Sequence, residues 1–299
     1  MKLRGKAAIV TGASVGLGRC IAAAFLREGA NVAICGRDSK ALMSAAEELA
    51  REVRPGSRLN AVCADVSDRA DVERLVSETV SGFGRVDILV NNAGVQGPLG
   101  PSETVDFDAF TKTIQINLLG PALMMRAVLP LFKQQGRGKI INLSGGGATG
   151  PRPRASAYAA SKAALVRLTE TIAEETRGTG VDVNAIAPGA LNTRLLEEML
   201  AAGPEGIGER EYRRAVEQKA KGGSRPEDAA DLCVFLSSSE SDGITGKLLS
   251  AVWDPWRTLA FYREQLTTSD IYTLRRIVPT DRGRDWASPG QDAQPTGKS

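Results

Sequence analysis

The chain has no histidine, and that absence removes the side chain most often used to move protons near neutral pH. It also thins the supply of metal ligands. The four cysteines, Cys20, Cys35, Cys63 and Cys233, are scattered without CxxC or other ligand spacing, so no metal site is expected. They read as reduced interior thiols of a cytoplasmic protein. No apolar run approaches the roughly 20 residues of a membrane span. The opening Met-Lys-Leu-Arg-Gly-Lys leads into a short strand pattern instead of a secretory signal. Blocks of like charge are missing too. The net charge of +3 is spread along the chain, which points away from nucleic acid or a membrane surface as the main partner. Aromatic residues are only 5% of the 299, so the place where they gather carries information.

What is present is an alternation. Short apolar runs at 7–10, 31–35, 59–63, 86–90, 139–143, 181–186 and 247–252 are separated by helical patterns at 17–28, 39–53, 71–81, 107–134, 156–176 and 226–236. That order predicts an α/β fold, a doubly wound parallel β-sheet with helices on both faces. The length suffices for one large domain, expected over residues 1–253.

Two local patterns carry chemistry. Thr11-Gly12-Ala-Ser14-Val-Gly16-Leu17-Gly18 joins the first strand to the first helix, where glycines let a backbone approach a pyrophosphate and a helix N-terminus favours an anion. At the end of the second strand, Gly36 leaves the place of a ribose-binding carboxylate empty, and Arg37 offers a planar fork to a phosphate. NADP is therefore expected before NAD. Asp65, followed by Val66, holds the adenine amino group or caps the helix after it. The second pattern is Tyr158-Ala-Ala-Ser-Lys162. Four residues apart on a helix, the ammonium and the phenol share a face, where the ammonium can draw the phenol's pKa down from about 10.

Taken in order, Thr11-Gly12, Gly16, Gly18, Asn91-Asn92-Ala93-Gly94, Asn117, Ser144, Tyr158, Lys162, Pro188-Gly189 and Thr193 resemble the short-chain dehydrogenase/reductase family across residues 5–252. The resemblance implies hydride transfer between a nicotinamide cofactor and an alcohol or carbonyl of a small molecule. Tyr158 would be the general acid/base and Lys162 its partner on the nicotinamide ribose. Asn117 would position a water that relays protons to Lys162. Asn91, Asn92, Ala93 and Gly94 would hold the fourth strand beside the cofactor, Asn91 close to its adenosine side, with Pro188, Gly189 and Thr193 at its nicotinamide end. The family also implies a homotetramer or homodimer built through two long helices and the last strand. Its substrate-polarising serine usually stands thirteen residues before the tyrosine. Here that position is Gly145 and Ser144 is fourteen before, so the catalytic serine is Ser144 with one extra loop residue, or it is missing. The phrasing Ile140-Ile-Asn-Leu-Ser144 favours the first reading.

Residues 190–223 read as a lid, with helical pattern broken at Gly203-Pro204-Glu205-Gly206 and Leu195, Leu196, Met199 and Leu200 as an apolar stripe toward the pocket. The chain then departs from the family, continuing over residues 254–299. All three tryptophans, Trp253, Trp256 and Trp286, fall in or beside this extension, which is expected to be ordered to about residue 278, as a pocket wall or a clasp, and frayed from Gly283. Two rival functions stay open: a cofactor-retaining epimerase or dehydratase, and a non-catalytic nucleotide sensor or scaffold.

Overall fold

A computed structural model describes residues 1–284 and Trp286. Strands β1 (Ala7–Thr11), β2 (Asn31–Gly36), β3 (Leu59–Cys63), β4 (Ile88–Asn91), β5 (Gly138–Leu143), β6 (Val181–Ala187) and β7 (Leu248–Ser250) form one sheet, in the order β3-β2-β1-β4-β5-β6-β7. Every pairing is parallel. The helices are α1 (Gly16–Arg27), α2 (Ser39–Leu49), α3 (Arg69–Phe83), α4 (Phe107–Ile114), α5 (Gly120–Gln135), α6 (Ser156–Glu175), α7 (Arg194–Ile207), α8 (Glu209–Lys221), α9 (Pro226–Ser237) and α10 (Arg263–Thr268).

Parallel strands need helical crossovers, and these cover both faces, which is why β1 is apolar at every position but Thr11 and buried throughout. Alternate residues feed two cores. Ala8, Val10, Ile34 and Val90 pack under α1 and α9 with Phe25 and Phe235, while Ile9, Ala33 and Leu89 pack under α3 and α5 with Leu75, Met124 and Phe132. The strand order reverses between β1 and β4, so the crevice at their carboxyl ends is where such a sheet binds ligands.

The single long helix expected over 107–134 is divided. A π-helical turn, Gln115–Leu119, separates α4 from α5. Its cause is Asn117, fully buried, whose amide binds both backbone groups of Val95, accepting from N at 2.8 Å and donating to O at 2.9 Å. The same amide donates to Ser161 Oγ on α6 at 3.1 Å, pinning three elements together. The lid breaks where the glycine and proline fall: Gly203, at φ +64°, interrupts α7 before Pro204.

Beyond β7 the chain folds back on the sheet. Trp256, Leu259 and Leu266 are buried in the α1/α9 core, and the Trp256 indole donates to Ala251 O at 3.1 Å. Lys247 Nζ donates to Ser269 O and Ile271 O at 3.0 Å each, and Leu248 N donates to Tyr272 O at 2.8 Å. Tyr272 takes φ +61° to turn that carbonyl onto β7. Leu274 N donates to Glu170 on α6 at 2.6 Å. The extension thus lies along the β7 edge. The fraying expected from Gly283 concerns residues that lie almost wholly outside the described ones.

Candidate active site

One cavity of about 1540 Å³ opens at the carboxyl ends of the strands, larger than the roughly 300–1,000 Å³ of an ordinary small-molecule pocket. At one part of its wall lies the turn from Gly12 to Gly18, which has no room for a side chain at either of those two glycines. A Cβ on Gly12 would stand 2.7 Å from Ala93 Cα, and one on Gly18 would run into Asn92 Nδ2 and Gly12 O. The turn is braced by Thr11, whose hydroxyl accepts from Asn92 N and Ala93 N at 3.0 Å each, and by Asn92 Nδ2, which donates to Thr11 O and Gly12 O. Val15, at the N-cap of α1, offers no side-chain cap, so the first N–H groups of the helix remain available to an anion. Ser14, Leu17, Val66 and Thr193 share this wall.

The glycine cradle, the uncapped helix end and the size of the cavity fit a dinucleotide. At its adenosine side, a side chain on Gly36 would collide with Ser14 Oγ. Arg37 lies 3.8 Å from Asp65. Burial pushes the Asp65 carboxyl up, but hydrogen bonds from Ser67 and the Arg37 charge outweigh it and hold it low. Asp65 is not the cap of α3. That part belongs to Asp68, which accepts from Asp71 N at 3.0 Å.

Tyr158 and Lys162 lie on one face of α6, both buried, and both reach the same cavity. Lys162 Nζ donates to Leu143 O at 2.7 Å, and burial pulls its pKa down to about 8. The phenol does not show the expected lowering. Burial pushes Tyr158 upward, and the charge that opposes this is the guanidinium of Arg152, 5.2 Å from the ring centroid. Lys162 Nζ lies 5.7 Å from that centroid, beside the ring face.

Gly145 stands against the phenol: a Cβ there would lie 2.5 Å from the Tyr158 hydroxyl. Ser144 also borders the cavity, yet its Oγ is sealed from solvent and has no partner among the described residues. The residue facing the phenol is therefore the glycine, and the Ser144 hydroxyl lies sealed beside it at the cavity wall.

Of the residues expected from sequence, Asn91 and Asn117 do not reach the cavity wall. Asn91 is buried in the sheet and donates to Asn142 Oδ1 at 2.8 Å. Asn117 acts behind Gly94: a Cβ on that glycine would come within 3.3 Å of Asn117 Oδ1 and 3.5 Å of Lys162 Nζ. Pro188, Gly189, Leu195, Leu196 and Met199 border the cavity, whereas Leu200 packs into the small core between α7 and α8. The sequence reading missed Gln96 and Arg152, and it named Asn92 only as part of the Asn91–Gly94 motif. Gln96 is buried at the wall with both amide atoms unpartnered among the described residues. From the extension and the residue before it, Asp254 and Trp253 reach the cavity, Trp253 being 84% exposed, while Trp256, Leu259 and Leu266 pack into the α1/α9 core and Ser269, Ile271 and Tyr272 lie along the β7 edge.

Comparison with known proteins agrees with this geometry. The family model for short chain dehydrogenases matches residues 6–203. The chain is 36% identical over 280 residues to short chain dehydrogenase mpl6 of Monascus purpureus, covering 93% of this chain and 90% of that one. Among solved structures, levodione reductase superposes with a TM-score of 0.76 at 31% identity, covering 83% of this chain and 96% of that one. A 3-ketoacyl-(acyl-carrier-protein) reductase from Brucella melitensis, complexed with NADH, has a TM-score of 0.72 at 34% identity, covering 83% and 97%. The chain belongs to the short-chain dehydrogenase/reductase family of NAD(P)-dependent oxidoreductases.

Proposed function

We propose that the protein interconverts a small-molecule alcohol and its carbonyl with a nicotinamide cofactor, NADP(H) ahead of NAD(H), and that Tyr158 exchanges the proton. The observation that carries this reading is the convergence of the Tyr158 phenol and the Lys162 amine on the cavity that also holds the glycine turn. A bound nicotinamide supplies or accepts the hydride at its ring carbon. The chain's own groups handle the proton. A phenol held above its ordinary pKa is protonated at neutral pH, which suits donation to a carbonyl oxygen as it is reduced. Lys162, drawn to about 8, is close enough to the working range to resupply that proton.

The cofactor preference rests on the end of β2. Position 36 carries no carboxylate, and Arg37 is half-exposed with only a loose pairing to Asp65, free to turn to a 2′-phosphate. The NADH complex of the Brucella relative keeps NAD(H) as the second choice. The same reading makes the chain an oligomer through its two long helices, the divided α4–α5 stretch and α6; Phe107 of α4 and Leu119 of the π turn are exposed. The last strand is a poorer partner surface than expected, because the extension already lies on its edge.

The test is a panel of carbonyl substrates followed by cofactor absorbance. NADPH is expected to support faster turnover than NADH. Tyr158→Phe should lower turnover roughly 10²- to 10⁴-fold, with dinucleotide affinity changed only a few-fold. Full turnover in that variant would sink the role of the phenol, and faster rates with NADH would sink the cofactor preference.

A further inference from the structure

The proton chemistry above leaves one charge of the cavity without a part: the guanidinium of Arg152. It stands in the loop between β5 and α6, half-buried, stacked over the Tyr158 ring at 5.2 Å. Its one side-chain hydrogen bond among the described residues goes to Met199 Sδ on α7 at 2.9 Å. A thioether is a weak acceptor for a group with five donors. Of the other arginines of the wall, Arg194 is matched by Glu198 and Arg214 by Glu211, and Arg37, loosely paired with Asp65, already has its part at the adenosine end. Arg152 pairs with no carboxylate among the described residues. None of its nitrogens is among the sealed, unpartnered polar atoms, so its remaining N–H groups keep access to the cavity.

We propose that Arg152 receives an anionic group of the substrate, so that the protein acts on keto or hydroxy acids whose carboxylate lies a few bonds from the reacting carbon. This rests on the alcohol/carbonyl reading above and adds to it a chemical class of substrate. The guanidinium fork matches two carboxylate oxygens, and its place over the ring sets that anion close to the phenol that exchanges the proton. Leu195, Leu196 and Met199 border the same cavity and give the organic part of such an acid apolar neighbours. A neutral ester of the same shape would enter without matching the cation. The alternative is that Arg152 only clamps the aromatic ring by cation–π attraction. Such a clamp would treat acid and ester alike.

The experiment compares 4-acetylbenzoate, levulinate and phenylglyoxylate with their methyl esters, using the full chain with NADPH. The acid is expected to have the higher kcat/KM in at least one pair, by roughly 10- to 150-fold for a charge-assisted contact, expressed mainly in KM. Arg152→Gln should collapse that ratio toward one, and Arg152→Lys should restore part of it. A wild-type ratio near one in all three pairs, or a ratio that survives Arg152→Gln, overturns the proposal and leaves the oxidoreductase reading intact. Calorimetric titration of the cofactor-loaded protein with the same pairs separates the two ideas further. Selective binding of the acid, lost in Arg152→Gln, without turnover of any pair would support Arg152 as an anion site while breaking the oxidoreductase reading. Equal or absent binding of acid and ester overturns the anion site.

Discussion

The two ends of the sheet use polar groups in opposite ways. At the amino ends of the strands, charged groups pair within the fold, although the Arg85 Nε stays unpartnered among the described residues. Asp87, just before β4, accepts from Ala7 N at 2.9 Å and from the Arg85 guanidinium at 2.6 Å, and Lys139 of β5 sits 2.6 Å from Asp182 of β6 and 2.7 Å from Asp242. At the carboxyl ends, polar groups are left over: the Ser144 hydroxyl, the Gln96 amide and the Arg152 cation. Both ends are made from the same strands. The difference is that crossover loops close the amino ends with carboxylates, whereas glycine turns keep the carboxyl ends open for a ligand. One end is spent on stability and the other is kept for chemistry.

This contrast can be broken from either side. Asp87→Ala leaves a backbone N–H and a guanidinium without their buried partner, so it should cost about 3–5 kcal/mol in chemical denaturation. Nucleotide affinity per folded molecule should stay at the wild-type value, and an affinity loss without a stability loss would overturn the comparison. Lys162→Met should behave in the reverse sense. The folded pKa of about 8 lies below the ordinary 10.5, so between those values the unfolded chain binds more protons. Burial of this group therefore costs stability fully below pH 8, and the cost fades as pH rises toward 10.5. The variant should lose turnover yet gain up to about 3 kcal/mol at pH 7, a gain that shrinks by pH 10. Denaturation curves at both pH values check this, and a gain that grows with pH would refute it.

Ser144→Ala removes a sealed hydroxyl with no partner among the described residues, so it should stabilise the fold by about 1 kcal/mol and lower turnover less than tenfold. A collapse of turnover would show that the hydroxyl reaches substrate after all and that the turn at Gly145 moves. Smallest in stability is Trp253→Ala. The side chain is exposed at the rim, so stability should change within about 0.5 kcal/mol while KM shifts. An unchanged KM would remove the extension from substrate binding.

Much of the scaffold was legible because its signals are local. The glycines of the first turn, the apolar strand runs and the break at Gly203 each express a short-range backbone requirement. The partners of those residues were less legible. The chain order marked Asn91 for the cofactor, but alternation along β4 turns its side chain into the sheet against Asn142, while Asn92 faces the turn. The π turn at Asn117 depends on the backbone of Val95, 22 residues away, which no periodicity records. Spacing raised the question of Ser144 against Gly145 and could not answer it, since a loop of one more or one fewer residue reads alike. The aromatic content of the extension correctly drew attention to it, yet whether it walls the cavity or lies along β7 depends on hydrogen bonds to Lys247 and Leu248.

By itself, then, the sequence determined a parallel sheet with a glycine turn at its first crossover and a phenol paired with an amine one helical turn away. Those follow from period, turn chemistry and the lack of any imidazole. Only the tertiary structure decided the electrostatics. It buried Tyr158 so that its proton is held more tightly, spent Lys162 on the Leu143 carbonyl, and brought Arg152 over the ring. The physical reason is that solvation and charge depend on everything packed around a group, including elements remote in the chain, whereas backbone preference is settled within a few residues.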